Sequence, residues 1–265
     1  MLFRSGEGES GSKISRPFVV GGVNYTMAGG FRVGLGIGYA DGKETLKSGL
    51  GETKGKTTAV EGFASTDFGG SRIAADATLG VGWTSFNMVR NLASFSATAN
   101  GKASSTSWNG AIKFSAPFPI EGGLKIAPYV LVDHQGISID AYNETGANGL
   151  GLMVPKQSVK SSNAEAGVSV GGSVAEAWGA LVPRAQIGWY HPIDNGKTTL
   201  ATHLVGSPNV AFNTPFLASK DAAHVELSLS ARMTSGVEVG IAYRGYLGSP
   251  HVNLHGIEGS VRFEF

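Results

Sequence analysis

The sequence predicts an all-β protein, an up-and-down antiparallel transmembrane β-barrel of twelve strands. Three observations carry this expectation. Side chains alternate apolar and polar with a period of two, connections alternate short and long, and charge is sparse without any long apolar run.

The alternation is plainest in residues 222–265. Val225, Leu227, Leu229, Ala231 and Met233 share one face, and Glu226, Ser228, Ser230 and Arg232 the other. Val237, Val239, Ile241 and Tyr243 oppose Glu238, Gly240, Ala242 and Arg244. Ile257, Gly259, Val261, Phe263 and Phe265 oppose Glu258, Ser260, Arg262 and Glu264. A period of two belongs to strands with one apolar and one polar face.

Eight strands precede these three. Val19 to Met27 is followed by Phe31 to Asp41, where Phe31, Val33, Leu35, Ile37 and Tyr39 form the apolar face. In Arg72 to Ser85, Ile73, Ala75, Ala77, Leu79, Val81 and Trp83 oppose Arg72, Asp76, Thr78 and Gly80. Thr106 to Ala116 sets Trp108, Ile112 and Phe114 on one face. Ala164 to Gly172 is rich in small residues, and Leu181 to Tyr190 opposes Leu181, Pro183, Ala185, Ile187 and Trp189 to Arg184, Gln186 and Gly188. Thr57 to Asp67 and Leu124 to Asp140 read as strands whose facing stays open, because Tyr129 to Val132 is apolar on both sides. Residues 42–52, 87–103, 141–163 and 191–221 read as long polar loops.

Short connections fall near Gly29, Gly69, Pro119, Ala177 and Ser235; longer ones centre near Ser48, Leu92, Ala147 and Val205, with a briefer one near Ser249. In an up-and-down barrel alternate connections share one end, so short periplasmic turns and longer outer loops sort in this way. A soluble β-sandwich, the plainer alternative, has Greek-key crossings and no reason to sort them. Bacterial single-chain barrels have an even number of strands. A twelfth is therefore expected within residues 1–16, with Leu2-Phe3-Arg4 as its remnant pairing with the last strand and an outer loop after it. Residues 1–265 then form a single barrel domain in the bacterial outer membrane, its C-terminus periplasmic and its long loops extracellular.

Composition agrees. Charged residues are 15 % of the chain, below the roughly 25 % of soluble domains. A net charge of +1 gives no reason to expect nucleic acid. The absence of Cys excludes a disulfide scaffold, a thiol nucleophile and Cys-ligated zinc. No run of about 18 apolar residues is present, so a membrane helix is excluded. The first residues hold no apolar signal core, so export of such a barrel calls for upstream sequence.

Three stretches together resemble the C-terminal translocator domain of classical (type V) autotransporters. They are Gly21 to Tyr25 with Phe31 to Tyr39, Ser207 to Phe212 with Ser219 to Ala223, and Gly236 to Gly245 followed by the Phe-ending last strand. The resemblance implies a barrel that inserts among outer-membrane lipids with the help of the barrel-assembly machinery. It implies an N-terminal passenger, absent from this chain, exported to the cell surface by a monomeric barrel. It also implies that Val261, Phe263 and Phe265 act as the assembly signal, although Gly259 stands one position from where a Gly is usual.

The polar faces fit a wet lumen. Glu226, Arg232, Glu238, Arg244, Glu258 and Arg262, with Arg184, Asp76 and Arg72, are expected to point inward and to pair across neighbouring strands. Trp83, Trp108, Phe114, Trp189, Tyr243, Phe263 and Phe265 are expected to face the lipid interfaces. No catalytic, cofactor or metal residues are expected, and the chain is not read as an enzyme. Gly167-Val168-Ser169-Val170-Gly171 matches a nucleophile elbow, which requires a strand–turn–helix bend; here it lies inside an alternating strand. His251 and His255 have metal spacing only on a helix, and Gly34 to Gly38 lacks a dinucleotide loop's spacing. The alternatives to a translocator are a stand-alone outer-membrane channel without a passenger and a barrel enzyme with its site in outer loops.

Overall fold

A computed structural model describes residues 12–46, 49–67, 73–194, 198–216, 221–249 and 252–263. Eleven long strands follow in chain order: β1 (Phe18–Thr26), β2 (Arg32–Leu46), β3 (Gly51–Asp67), β4 (Ala74–Leu92), β5 (Ala97–Ser115) and β6 (Leu124–Ile139). They continue with β7 (Gln157–Gly172), β8 (Gly179–Pro192), β9 (Ala222–Met233), β10 (Val237–Ser249) and β11 (Val252–Phe263). Each is antiparallel to the next, so spatial order equals chain order. Ser12–Ser15 extends the row of β1 along β2; between them Pro17 lacks a donor, and its carbonyl accepts from the Asp41 N–H at 3.2 Å. Ala93–Phe95 and Glu121–Gly123 are single helical turns. The expected strand at Leu2-Phe3-Arg4, with Phe265, lies outside the described residues, and so does its seam with β11.

Burial is inverted relative to a water-soluble fold. Ile37, Leu79 and Ile257 are 59 %, 69 % and 73 % exposed, whereas Glu165, Asn163 and His224 are buried. Register shows that this is one continuous face. Val23, Leu35, Gly62 and Leu79 lie directly opposite one another on β1 to β4, and Ile37, Val60, Val81 and Trp108 on β2 to β5. On the far strands Ala185, Leu227, Tyr243 and Ile257 do the same. The same register settles the two open strands. On β3, Thr58, Val60 and Gly62 join the apolar face, while Glu61 and Phe63 sit on the polar one; on β6, Val130 and Val132 face outward, and Tyr129 and Leu131 face the other way. Phe63 fits inside because Gly34 is its cross-strand partner: a Cβ there would meet the Phe63 ring.

Aromatic residues bound this apolar face. Tyr25, Phe114 and Phe263 stand near the short-turn end; Phe18, Tyr39, Trp83 and Trp189 stand toward the loop end, all exposed. Phe114 pairs with Ala75, eight residues before Trp83 on β4. That separation is about 26 Å along the strand, or about 20 Å once a tilt near 40° is allowed for, close to the ~25 Å apolar band of outer-membrane barrels.

The long loops require a correction. Residues 42–52 and 87–103 are largely strand: β2 runs to Leu46, β4 to Leu92 and β5 starts at Ala97. Beyond Tyr39 and Trp83 the outward residues become Asp41, Lys43, Ser85, Asn87, Lys102 and Ser104. Both faces of these ribbons tolerate water, so the apolar alternation that marks a strand disappears while the ladder continues. Residues 141–163 and 191–221 also hold strand. Tyr142–Asn143, Leu152–Val154, Thr198–Leu204 and Ser207–Phe216 make a second, four-stranded sheet at the loop end. Its pairing of Leu152 with Leu204 is non-local, which a local reading cannot detect.

Leu79→Arg places a charge in the middle of the apolar band. Urea unfolding in lipid vesicles should show a loss of about 2–4 kcal/mol; an exposed Leu on a water-facing sheet would tolerate the change.

Candidate functional site: the polar face

Side chains opposite the apolar face converge across several strands. Lys113 on β5 lies over the Tyr129 ring, 4.3 Å from its centroid, and its Nζ donates to Gln186 Oε1 of β8 at 2.8 Å. β5 and β8 are three strands apart, so the sheet must curl strongly toward this face for the two to touch. Tyr129 donates to the Glu165 carboxylate of β7, and His224 Nδ1 of β9 lies 3.0 Å from Glu165 Oε1. His224 stacks on Tyr246 of β10 at 4.6 Å between centroids, and Tyr190 meets Tyr246 edge-on. Asn163 Nδ2 donates to Asp133 Oδ1 at 2.8 Å. The network thus ties β5 through β10 together by side chains, in addition to the ladder.

Glycine makes the room. A Cβ at Gly188 would fall on the Glu165 carboxylate and the Tyr129 hydroxyl. Glu165, Tyr190, His224 and Tyr246 line a cavity of about 510 Å³ together with Lys113, Asp133, Gln135, Arg184, Gln186 and Glu226. Acids and bases share its wall, so it presents hydrogen-bonding surface of both signs without a strong net potential.

Six of the charges singled out from the sequence sit on this face in two groups, on the last three strands. Arg244 Nε lies 3.0 Å from Glu226 and its Nη1 lies 3.6 Å from Glu258. Arg232 Nε lies 3.0 Å and Arg262 Nη1 3.9 Å from Glu238. Each cluster spans three adjacent strands, β9 to β11. Glu226 alone of the six lines the cavity; the Glu238 group lies nearer the short-turn end. Asp76 and Arg184 share the face, while Arg72 lies outside the described residues. Val261 and Phe263 are on the opposite, apolar face and exposed.

Lys113, Tyr129, Glu165 and His224 were not singled out by the sequence as one site. The facing of Tyr129 was ambiguous, and Glu165 stands alone among small residues. One signal was available: a carboxylate inside a strand of Ala, Gly and Ser needs a partner when buried.

The enzyme-like motifs dissolve into the sheet. Ser169 lies mid-strand in β7, and its hydroxyl donates to the Ala127 carbonyl at 3.3 Å. His255 Nδ1 is 2.6 Å from the Tyr243 hydroxyl, and His251 lies outside the described residues. Gly34, Gly36 and Gly38 are ladder positions of β2. At the loop end Arg90 grips the buried Glu144 at 2.5 Å, and Glu144 also accepts from the Leu152 N–H at 2.8 Å, pinning residues 144–152 onto the β4–β5 ribbon.

A curled, sequentially ordered antiparallel sheet with apolar residues outside and a paired polar network within is a transmembrane β-barrel. The autotransporter β-domain model matches residues 3–244, and the chain belongs to that family. Among solved structures, it is similar to the translocator domain of the autotransporter NalP from Neisseria meningitidis. The TM-score there is 0.80 at 13 % identity, covering 98 % of this chain and 84 % of that one. The β-domain of the Bordetella autotransporter BrkA matches with a TM-score of 0.63 at 17 % identity, covering 97 % and 92 %. The transport unit of AIDA-I from Escherichia coli matches with a TM-score of 0.63 at 13 % identity, covering 99 % and 86 %. No curated protein sequence matches the chain. The protein is an autotransporter translocator domain of the bacterial outer membrane, the membrane-embedded part of a system that exports a passenger.

Replacing Tyr129 by Phe and His224 by Ala removes two partners of one carboxylate. A double-mutant cycle read by urea unfolding in vesicles should return a coupling of about 0.5–3 kcal/mol, since both act through Glu165.

Proposed function

We propose that residues 1–265 act as one monomeric barrel that carries its own N-terminal passenger outward, with the polar face lining the lumen. The observation that carries this reading is the polar cavity built by β5 to β10. Its ion pairs and hydrogen bonds hold the wall open and wet without fixing a strong charge, which suits passage of a peptide of arbitrary sequence. The paired charges Glu226, Arg244 and Glu258, and Arg232, Glu238 and Arg262, then stabilise the lumen wall near the last strands. Mixed signs directly across strands favour that register over its neighbours.

In this reading the C-terminus is periplasmic and the polar ribbons and four-stranded sheet are extracellular. The sorting of short turns against long ribbons supports it. Val261, Phe263 and Phe265 form the apolar edge read by the barrel-assembly machinery, supported by the outward exposure of Val261 and Phe263 on the last strand. In this reading the barrel is not an enzyme, as is general for the translocator family.

The test is surface display. With a signal peptide and a reporter passenger placed ahead of residue 1, the reporter should become sensitive to protease added to intact cells. Retention of an intact reporter in the periplasm by a correctly inserted barrel would reject the translocation reading. Phe263→Ala should slow insertion several-fold in a pulse-chase of heat-modifiable barrel, leaving the already assembled protein normal.

A further inference from the structure

The outward face carries lysines toward one end. Register places Lys43, Lys54, Lys56, Lys102 and Lys160, against Asp41 and Glu52, on the apolar, outward face toward the loop end. At the short-turn end register places one charge on that face, the acidic Glu176 of the short strand Val174–Glu176, opposite Gly179. The surplus at the loop end is therefore cationic, and it begins directly above the aromatic belt. Tyr39 and Trp83 are followed two residues on by the row Asp41, Lys56 and Ser85, and then by the row Lys43, Lys54, Asn87 and Lys102. Two residues advance a strand by about 6.7 Å, within reach of a lysine stem that lies along the wall and carries its ammonium to the interface.

The core of this ridge is compact. Lys43 and Lys54 are directly opposite, an arrangement that costs stability when left uncompensated. Glu52 offsets it by holding both, at 2.5 Å from Lys43 and 2.9 Å from Lys54. An ammonium has three donors, so both retain donors for another acceptor. Lys56 and Lys102 make no ion pair with described residues. Cations at the edge of an apolar band face the headgroups of the lipid that surrounds it, and anionic headgroups attract them. Lysine is a point-charge phosphate binder.

We propose that the ridge of Lys43, Lys54 and Lys56 binds the phosphate groups of anionic lipid headgroups in the leaflet at the loop end. Lys102 continues its outer row on β5. Bound lipid supplies the counter-charge that Glu52 alone does not, and it fixes the depth of the β2–β3 ribbon in the leaflet. Assigning this leaflet to the outer surface of the cell rests on the orientation proposed above; the contact itself does not.

The experiment uses the whole chain refolded into symmetric vesicles of phosphatidylcholine doped with bisphosphorylated lipid A. Native mass spectrometry counts lipid A retained on each barrel. The triple variant Lys43→Gln, Lys54→Gln, Lys56→Gln should retain at least five-fold less, with unchanged heat-modifiable migration. Lys125→Gln, on the polar face at the turn end, should retain as much as the parent. Glu52→Gln, which releases two lysines, should retain more and keeps the proposal testable if the triple variant fails to fold. Undiminished retention in a folded triple variant, or no gain with Glu52→Gln, overturns the proposal. Displacement of lipid A by inorganic pyrophosphate would replace it with a simple phosphate site. An error in orientation would appear separately, as failed labelling of the ribbons on intact cells, with lipid retention unaffected.

Discussion

Hydrocarbon offers no hydrogen-bond partner, so each backbone N–H and C=O of a crossing segment must be satisfied by protein. The rest of this structure follows from that constraint. Strands satisfy it only through neighbours, and chain-order pairing of β1 through β11 gives each interior strand two. The two-residue period then divides the side chains. One set must suit lipid, and the other is free to hold water, charge and bulk. The exposure of Ile37, Leu79 and Ile257 and the burial of Glu165 and His224 are two sides of this one arrangement.

The polar face then has its own packing problem. A curled sheet crowds the side chains on its concave side, and size must be traded across strands. Phe63 lies over Gly34, and Tyr129 with Glu165 occupies the space left by Gly188. A buried carboxylate is costly unless hydrogen-bonded, and Glu165 meets this with Tyr129 and His224. The result is a wall stiffened by polar contacts that reach beyond the nearest strand, while the apolar face leaves its partners to the bilayer. Above the aromatic belt the ribbons shed the apolar requirement but keep the ladder, and Arg90 with Glu144 ties the neighbouring loop to them.

Much of this was legible in the sequence because lipid imposes a simple rule on alternate residues. The strands with Leu79, Ile187 or Ile241 announced their facing directly. β3 and β6 did not, since Phe63 and Leu131 are apolar residues on the inner side. The ribbons were read as loops because Lys43, Lys54 and Asn87 stand where apolar residues would have marked a strand. The charge clusters around Glu226 and Glu238 were anticipated as cross-strand pairs, because register between consecutive hairpins is local. The Lys113–Gln186 contact and the Glu165–His224 contact were not, because they join strands two or three steps apart through a curvature that no local pattern encodes. The loop-end sheet was missed for the same reason.

The central claim is that successive residues of one strand meet lipid and water in turn. The chain contains no Cys, so single cysteines can be placed at positions 77 to 83 of β4 and spin-labelled in lipid vesicles. Labels at Ala77, Leu79, Val81 and Trp83 should be relaxed by oxygen dissolved in the bilayer, and labels at Thr78, Gly80 and Gly82 by a water-soluble nickel reagent. Equal accessibility to both reagents along the strand, or the opposite phase, would contradict the account.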